Sequence, residues 1–214
     1  MPHILAKKYS LLNDYLAELR NVEVQKDSAR FRKNVERIGQ IMAIEISKHL
    51  AFKTEEVTTP LGTHKSKMLA KQPVLATVLR AGLAMHQGFL NCFDRADNAY
   101  VSAYRKHVSP NQFEIVVEYM AAPDITNRTL ILIDPMLATG QSMHLSYKAL
   151  LRHGMPSEVI VASIIASKKG VEHIKTFMPK AKIFVADVDN DLDENSYIVP
   201  GLGDAGDLSF GNKL

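Results

Sequence analysis

Two rhythms of apolar residues run along this chain, one of helical spacing and one of short continuous runs. Ile4, Leu11, Leu12, Tyr15, Leu16 and Leu19 recur at helical intervals and predict an amphipathic N-terminal helix. A second helix is predicted from an Asp27-Ser28 cap to about Leu50, with Phe31, Val35, Ile38, Ile41, Met42 and Ile46 on one side. Those faces must cover something, either the core or a second subunit. Residues 55–69 carry Pro60, Gly62 and scattered polar side chains and read as an irregular hairpin or flap. Residues 73–79 read as a buried strand and 83–93 as a helix, with Arg80-Ala81-Gly82 between them. Strands are predicted at 99–104 and 113–120, joined by a polar, basic loop at 105–111.

The run Leu130 to Ile133 has the look of a strand buried on both faces of a parallel sheet. It leads through a small-residue loop, Ala138-Thr139-Gly140-Gln141-Ser142, into a helical face of Met143, Tyr147, Leu150 and Leu151, which Gly154 and Pro156 stop. A strand at 158–166, a short helix ended by Pro179 and a strand at 183–186 follow. Strands alternating with helices at this spacing predict an α/β fold with right-handed crossovers and a mainly parallel sheet. The tail breaks the rhythm: Gly201, Gly203 and Gly206 interleaved with Asp204 and Asp207 predict a tight glycine loop and not a packed helix.

Composition narrows the classes. A chain of 214 residues, 46% hydrophobic and 23% charged, suits one domain spanning residues 1–214 with a substantial core. A formal charge of +3 is too mild for a nucleic-acid binder and suits a pocket for an anion. The single cysteine, Cys92, excludes an intrachain disulfide and a multi-cysteine metal site and favours a reducing compartment. No apolar run approaches membrane-spanning length and no secretory signal is visible, so a cytoplasmic protein is expected.

Candidate chemistry gathers at loops. A strand that enters a helix through residues 138–142 aims backbone N–H groups and the helix dipole at one point, a good place for phosphate. Thr139 and Ser142 add hydroxyls, and Asp134 stands at the strand's carboxyl end, where open α/β sheets hold ligands. An ordinary turn capped by Ser142 fits the same residues. Arg80, after a buried strand, is placed to meet an anion, as is Arg105 at the start of the basic loop. The glycine tail can read the edge of a flat, amide-like ring while Asp204 faces a hydroxyl or a metal-bound ligand. A calcium loop is the competing idea there, although the spacing is not that of an EF-hand.

Three segments together resemble uracil phosphoribosyltransferases. Residues 134–142, DPMLATGQS, look like their phosphoribosyl-diphosphate (PRPP) loop, 197–207, YIVPGLGDAGD, like their uracil-binding tail, and 79–82, LRAG, like their diphosphate-contacting loop. The resemblance runs from about residue 5 to the end, and the tail is its most specific part. It implies a type I phosphoribosyltransferase fold, a parallel sheet flanked by helices with a small hood, and the reaction of uracil with PRPP to give UMP and diphosphate. PRPP would carry Mg2+, with no dedicated protein metal site.

Carried over by position, Asp134, Pro135, Met136, Leu137, Ala138, Thr139, Gly140, Gln141 and Ser142 form the PRPP loop. Within it, residues 138–142 hold the 5'-phosphate and Asp134 faces the ribose hydroxyls. Arg80 and Arg105 hold the diphosphate. Asp204 lies near PRPP and its metal and is the first catalytic residue to test. Backbone groups of Ile198, Gly203 and Ala205, beside Asp204, recognise uracil. The resemblance also implies a homodimer or higher even-numbered oligomer. Gln141 replaces the family's usual glycine, Lys106-His107-Val108 its acidic residues, and Leu208 a basic one. Those departures leave room for a nucleotide-binding regulator on the same fold, acting on RNA or a protein; an enzyme for another nucleobase is a further alternative.

Overall fold

The computed structural model describes residues 1–109 and 112–212, and among residues 103–118 it describes the backbone alone. In chain order the elements are β1 (His3–Ile4), α1 (Leu11–Arg20), α2 (Ser28–Ser47), β2 (Phe52–Thr59), β3 (Gly62–Leu69), β4 (Val74–Leu79), α3 (Gly82–Leu90), β5 (Asp97–Ser109), β6 (Gln112–Ala121), β7 (Thr129–Ile133), β8 (Met136–Leu137), α4 (Gln141–Leu150), β9 (Glu158–Ser167), α5 (Lys168–Phe177), β10 (Lys182–Asp189), β11 (Asp191–Leu192), β12 (Ile198–Val199) and α6 (Ala205–Phe210). The main sheet has the order β1-β10-β9-β7-β4-β5-β6, with β8 also paired to β9. All of its pairings are parallel except β5 with β6.

Alternate residues of the central strands feed two cores, one on each face of the sheet. Ile131 and Ile133 of β7 join Leu75, Ile160, Phe184 and the buried sides of α1, α2 and α3. Leu130 and Leu132 join Val74, Ala76, Val161, Val185 and the inner sides of α4 and α5. This two-sided burial explains why the strands read as continuous apolar runs. The apolar faces of α1 and α2 are therefore spent on the core of their own chain, through Leu12, Leu16, Leu19, Phe31, Val35, Ile38, Met42 and Ile46. Local sequence starts both helices. The Ser10 hydroxyl accepts from Leu12 N–H while the Asn13 side chain accepts from Ser10 N–H, and the Asp27 carboxylate accepts from Ala29 and Arg30 N–H.

Four expectations need correction. Ile4 belongs to the edge strand β1, paired with Val185, and the first helix begins only at Leu11, after its cap. The stretch expected as a loop at 105–111 is largely strand, since β5 continues to Ser109 and β6 starts at Gln112. Cross-strand pairing of an antiparallel hairpin outweighs the polar composition that argued for a loop. The tail contains a helix after all, α6, because Asp204 caps it: its Oδ1 accepts from Gly206 N–H at 2.8 Å and Asp207 N–H at 3.0 Å. The expected irregular flap is a regular hairpin of β2 and β3, paired from Phe52↔Leu69 to Thr59↔Gly62.

Candidate active site

The chain reverses its direction of travel across the sheet between β4 and β7. From β4 it proceeds to β5 and β6 on one side, and from β7 to β9 and β10 on the other. The carboxyl ends of two such neighbouring strands diverge and leave a crevice. A cavity of ≈ 520 Å³ occupies that position, lined by Arg80 and Ala81 after β4 and by Asp134, Met136, Leu137, Ala138, Thr139, Gly140 and Ser142 after β7. Residues 195–197 and 204–207 of the tail complete the lining. The three sequence motifs, far apart in the chain, thus surround one space.

The loop after β7 is held at both ends. Asp134 N–H donates to the Ala162 carbonyl, and the Pro135 carbonyl accepts from both Ile164 and Ile165 N–H. Met136 and Leu137 then rejoin the sheet as β8, opposite Ile165 and Ala166. Farther on, the Ser167 hydroxyl donates to the Ala138 carbonyl at 2.6 Å and accepts from Gly170 N–H at 2.8 Å, so the residue that caps α5 also fixes the loop. Gly170 must lack a side chain, since a Cβ there would lie 2.4 Å from the Leu137 carbonyl oxygen. Gly140 takes φ +77 as the N-cap of α4, a left-handed conformation that favours glycine. No side chain caps this turn, and Ser142 lines the cavity. Gln141, the departure within this loop, is a helical residue without positive φ and brings no backbone strain.

Asp134 lies on the cavity floor, half-buried, with Oδ1 accepting from Met136 N–H at 3.1 Å. Burial pushes its carboxyl up to about 7, the Met136 bond opposes the shift, and the charge of Asp204 adds to it. Arg80, joined to Leu79 by a cis peptide bond, donates from Nη2 to Asp207 Oδ1 at 2.8 Å and from Nη1 to the Gly211 carbonyl at 3.1 Å. Asp204 and Ala205 also face the cavity. Ile198 is buried in β12 opposite Leu192, and Gly203 takes φ +88 in the turn before Asp204; both flank the lining residues rather than join them. Pro135 and Gln141 stand likewise outside the lining. The Arg105 side chain lies outside the described residues, as does the side-chain placement of Lys106-His107-Val108.

Sequence reasoning missed the anchor of the tail. Arg20, at the end of α1, donates to both oxygens of Asp189 at 2.8 Å, to Asp187 at 3.0 Å and to the Gly201 carbonyl at 2.9 Å. Asp189 in turn accepts from Gly201 N–H at 3.0 Å. Both backbone groups of one turn residue are thus fixed by an ion pair. No local pattern reveals an interaction spanning 169 residues. Ser167, by contrast, was findable as a cap preceding a helical run.

A family model described as uracil phosphoribosyltransferase matches residues 6–212. The chain belongs to the uracil phosphoribosyltransferase family. A uracil phosphoribosyltransferase of Porphyromonas gingivalis is 53% identical over 98% of both chains. One of Thermococcus gammatolerans is 37% identical over 94% of this chain and 89% of its own, and one of Lacticaseibacillus paracasei 36% identical over 96% and 99%. A solved structure from Aquifex aeolicus matches with TM-score 0.88 and 27% identity, covering 99% of this chain and 98% of that one. The fold is that of the type I phosphoribosyltransferases. The family converts uracil and PRPP to UMP and diphosphate, and phosphoribosyltransferases of this fold generally use Mg2+ with PRPP. Leu208 is half-buried and packs against the core beneath the tail.

Proposed function

We infer that this chain transfers the 5-phosphoribosyl group of PRPP to uracil, giving UMP and diphosphate. One observation carries the reading: the phosphate loop, the Arg80 loop and the uracil-binding tail line a single cavity at the switch point of the sheet. In this reading residues 138–142 receive the 5'-phosphate through backbone N–H groups at the start of α4, helped by the Thr139 and Ser142 hydroxyls. Asp134 meets the ribose hydroxyls. A carboxyl that titrates near 7 can both donate to and accept from them. Arg80 and Arg105 hold the diphosphate, and Ile198, Gly203 and Ala205 read the pyrimidine edge through their backbone.

Departure of diphosphate builds positive charge on the ribose and negative charge on the leaving group, so cations fixed in advance lower the barrier. The alignment of uracil with the ribosyl carbon lowers it further. Mg2+ brought with PRPP neutralises charge on the diphosphate oxygens. The donor set suits that arrangement, because Mg2+ at such sites uses one or two carboxylates together with substrate phosphates. Asp134 and Asp204 are the cavity carboxylates available, Asp207 being paired with Arg80.

The test is UMP formation from uracil, PRPP and Mg2+, with cytosine, hypoxanthine and guanine in parallel. Asp204 caps α6, so replacing it by alanine removes a cap as well as a charge. Asp204→Asn keeps the cap and separates the two. Uracil-specific product that falls at least tenfold in Asp204→Asn supports the assignment. Bound PRPP with no product from any base would remove it.

A further inference from the structure

Asp207, the second aspartate of the tail motif, has no part in the reading above. It lies in the first turn of α6 and lines the cavity, where its Oδ1 accepts from Arg80 Nη2 at 2.8 Å. Arg80 Nη1 is bound to the Gly211 carbonyl, and the buried Nε has no hydrogen-bond partner among the described residues. The guanidinium assigned to the diphosphate is therefore already paired with a carboxylate of the protein, yet it keeps one donor unsatisfied. Carboxylate and phosphate oxygens compete for the same planar fork of donors.

We propose that Asp207 is a resident counter-ion of the diphosphate subsite: it pairs with Arg80 before substrate binds and yields the guanidinium to a phosphate oxygen of PRPP or diphosphate. The inference rests on the reading of Arg80 as a diphosphate ligand.

A comparison within the chain supports exchange. The Arg20–Asp189 pair is doubly bonded and Asp189 is 8% exposed, whereas Arg80 and Asp207 are joined by one bond and are 35% and 32% exposed. A pair that open to water is held weakly, and an incoming group of several negative charges displaces it. A carboxylate that remained beside the bound diphosphate would repel it. The exchange resolves that conflict and, on the return path, offers Arg80 a partner as diphosphate leaves. Asp207 N–H also donates to Asp204 Oδ1, so release of the side chain acts on the segment that carries Asp204.

Calorimetric titration of inorganic diphosphate with Mg2+ into the unaltered protein, Asp207→Asn, Asp207→Ser and Arg80→Gln tests this. Removal of the competing charge should tighten diphosphate binding by about two- to fivefold, the range of a partly exposed ion pair. Product inhibition by diphosphate should strengthen by the same factor. Loss of a merely structural residue would not tighten binding. Unchanged or weaker binding in both folded Asp207 variants overturns the counter-ion role alone. Equal binding by the unaltered protein and Arg80→Gln overturns it together with the assignment of Arg80. Should the variants not fold, the carboxyl carbon resonance of Asp207 in the unaltered protein decides: it should shift when diphosphate is added, and an unmoved resonance overturns the exchange.

Discussion

At the residue scale, Asp134 ties function to stability. Its carboxyl titrates at about 7 in the folded chain against an ordinary 3.8, so between those values the folded state binds more protons than the unfolded state. Stability contributed by this group is therefore present below about pH 4 and is lost as pH rises toward 7. Asp134→Asn keeps an oxygen for the Met136 N–H but carries no charge. It should be more stable than the unaltered protein at pH 8, by about 1–3 kcal/mol, and no more stable at pH 4. Urea unfolding at the two pH values measures this, and an equal gain at both would remove titration as the cause. The same variant should lose activity if the carboxyl serves the ribose. Gly140 makes the companion case. A Cβ there would lie 3.0 Å from the Gly170 carbonyl oxygen, and φ +77 strains any other residue by about 1–3 kcal/mol. Gly140→Ala should raise the KM for PRPP several-fold while Gln141→Gly leaves it nearly unchanged, a difference that steady-state kinetics reads directly.

Among the elements, those with strong periodicity were legible. The strands of the central sheet and the capped helix α2 announced themselves because burial on two faces or one leaves a distinct pattern. Elements decided by partners were not. The far end of β5, residues 105–109, looks polar in sequence, and α6 looks too rich in glycine until its Asp204 cap is seen. The phosphate loop was recognisable from residues 134–142, but its supports, Ser167 and Gly170, lie on the next strand and helix. Ser167→Ala removes both the cap of α5 and the bond to the Ala138 carbonyl. It should cost about 1–2 kcal/mol in thermal or urea unfolding and raise the KM for PRPP without changing that for uracil. The reverse split belongs to the Arg20 anchor, which fixes the Gly201 turn. Arg20→Met leaves Asp189 buried without its cation and should cost about 3–5 kcal/mol, with the KM for uracil rising more than that for PRPP in whatever fraction folds.

At the scale of the whole molecule, the hairpin of β2 and β3 stands apart from the core. β2 and β3 pair over their full length, yet nearly every side chain on both is exposed, including Phe52 at 51%, Met68 at 40% and Leu61, in the turn between them, at 100%. An isolated two-stranded hairpin is marginally stable in water, and the exposed apolar side chains Phe52, Leu61 and Met68 find no cover among the described residues. The apolar faces of α1 and α2, the other candidates for a subunit contact, are occupied by the protein's own core. We propose that the hairpin is the arm of a homodimer or higher even-numbered oligomer, which gives its exposed apolar residues a partner of the same chain. Light scattering of the purified protein should then return at least twice the 23.8 kDa of the chain. Replacing Phe52, Leu61 and Met68 together by serine should shift it toward the monomer. The cavity is built from β4, β7 and the tail of one chain, so a folded monomer produced in this way should still bind PRPP. An unaltered monomer at working concentration would leave the arm without its proposed partner.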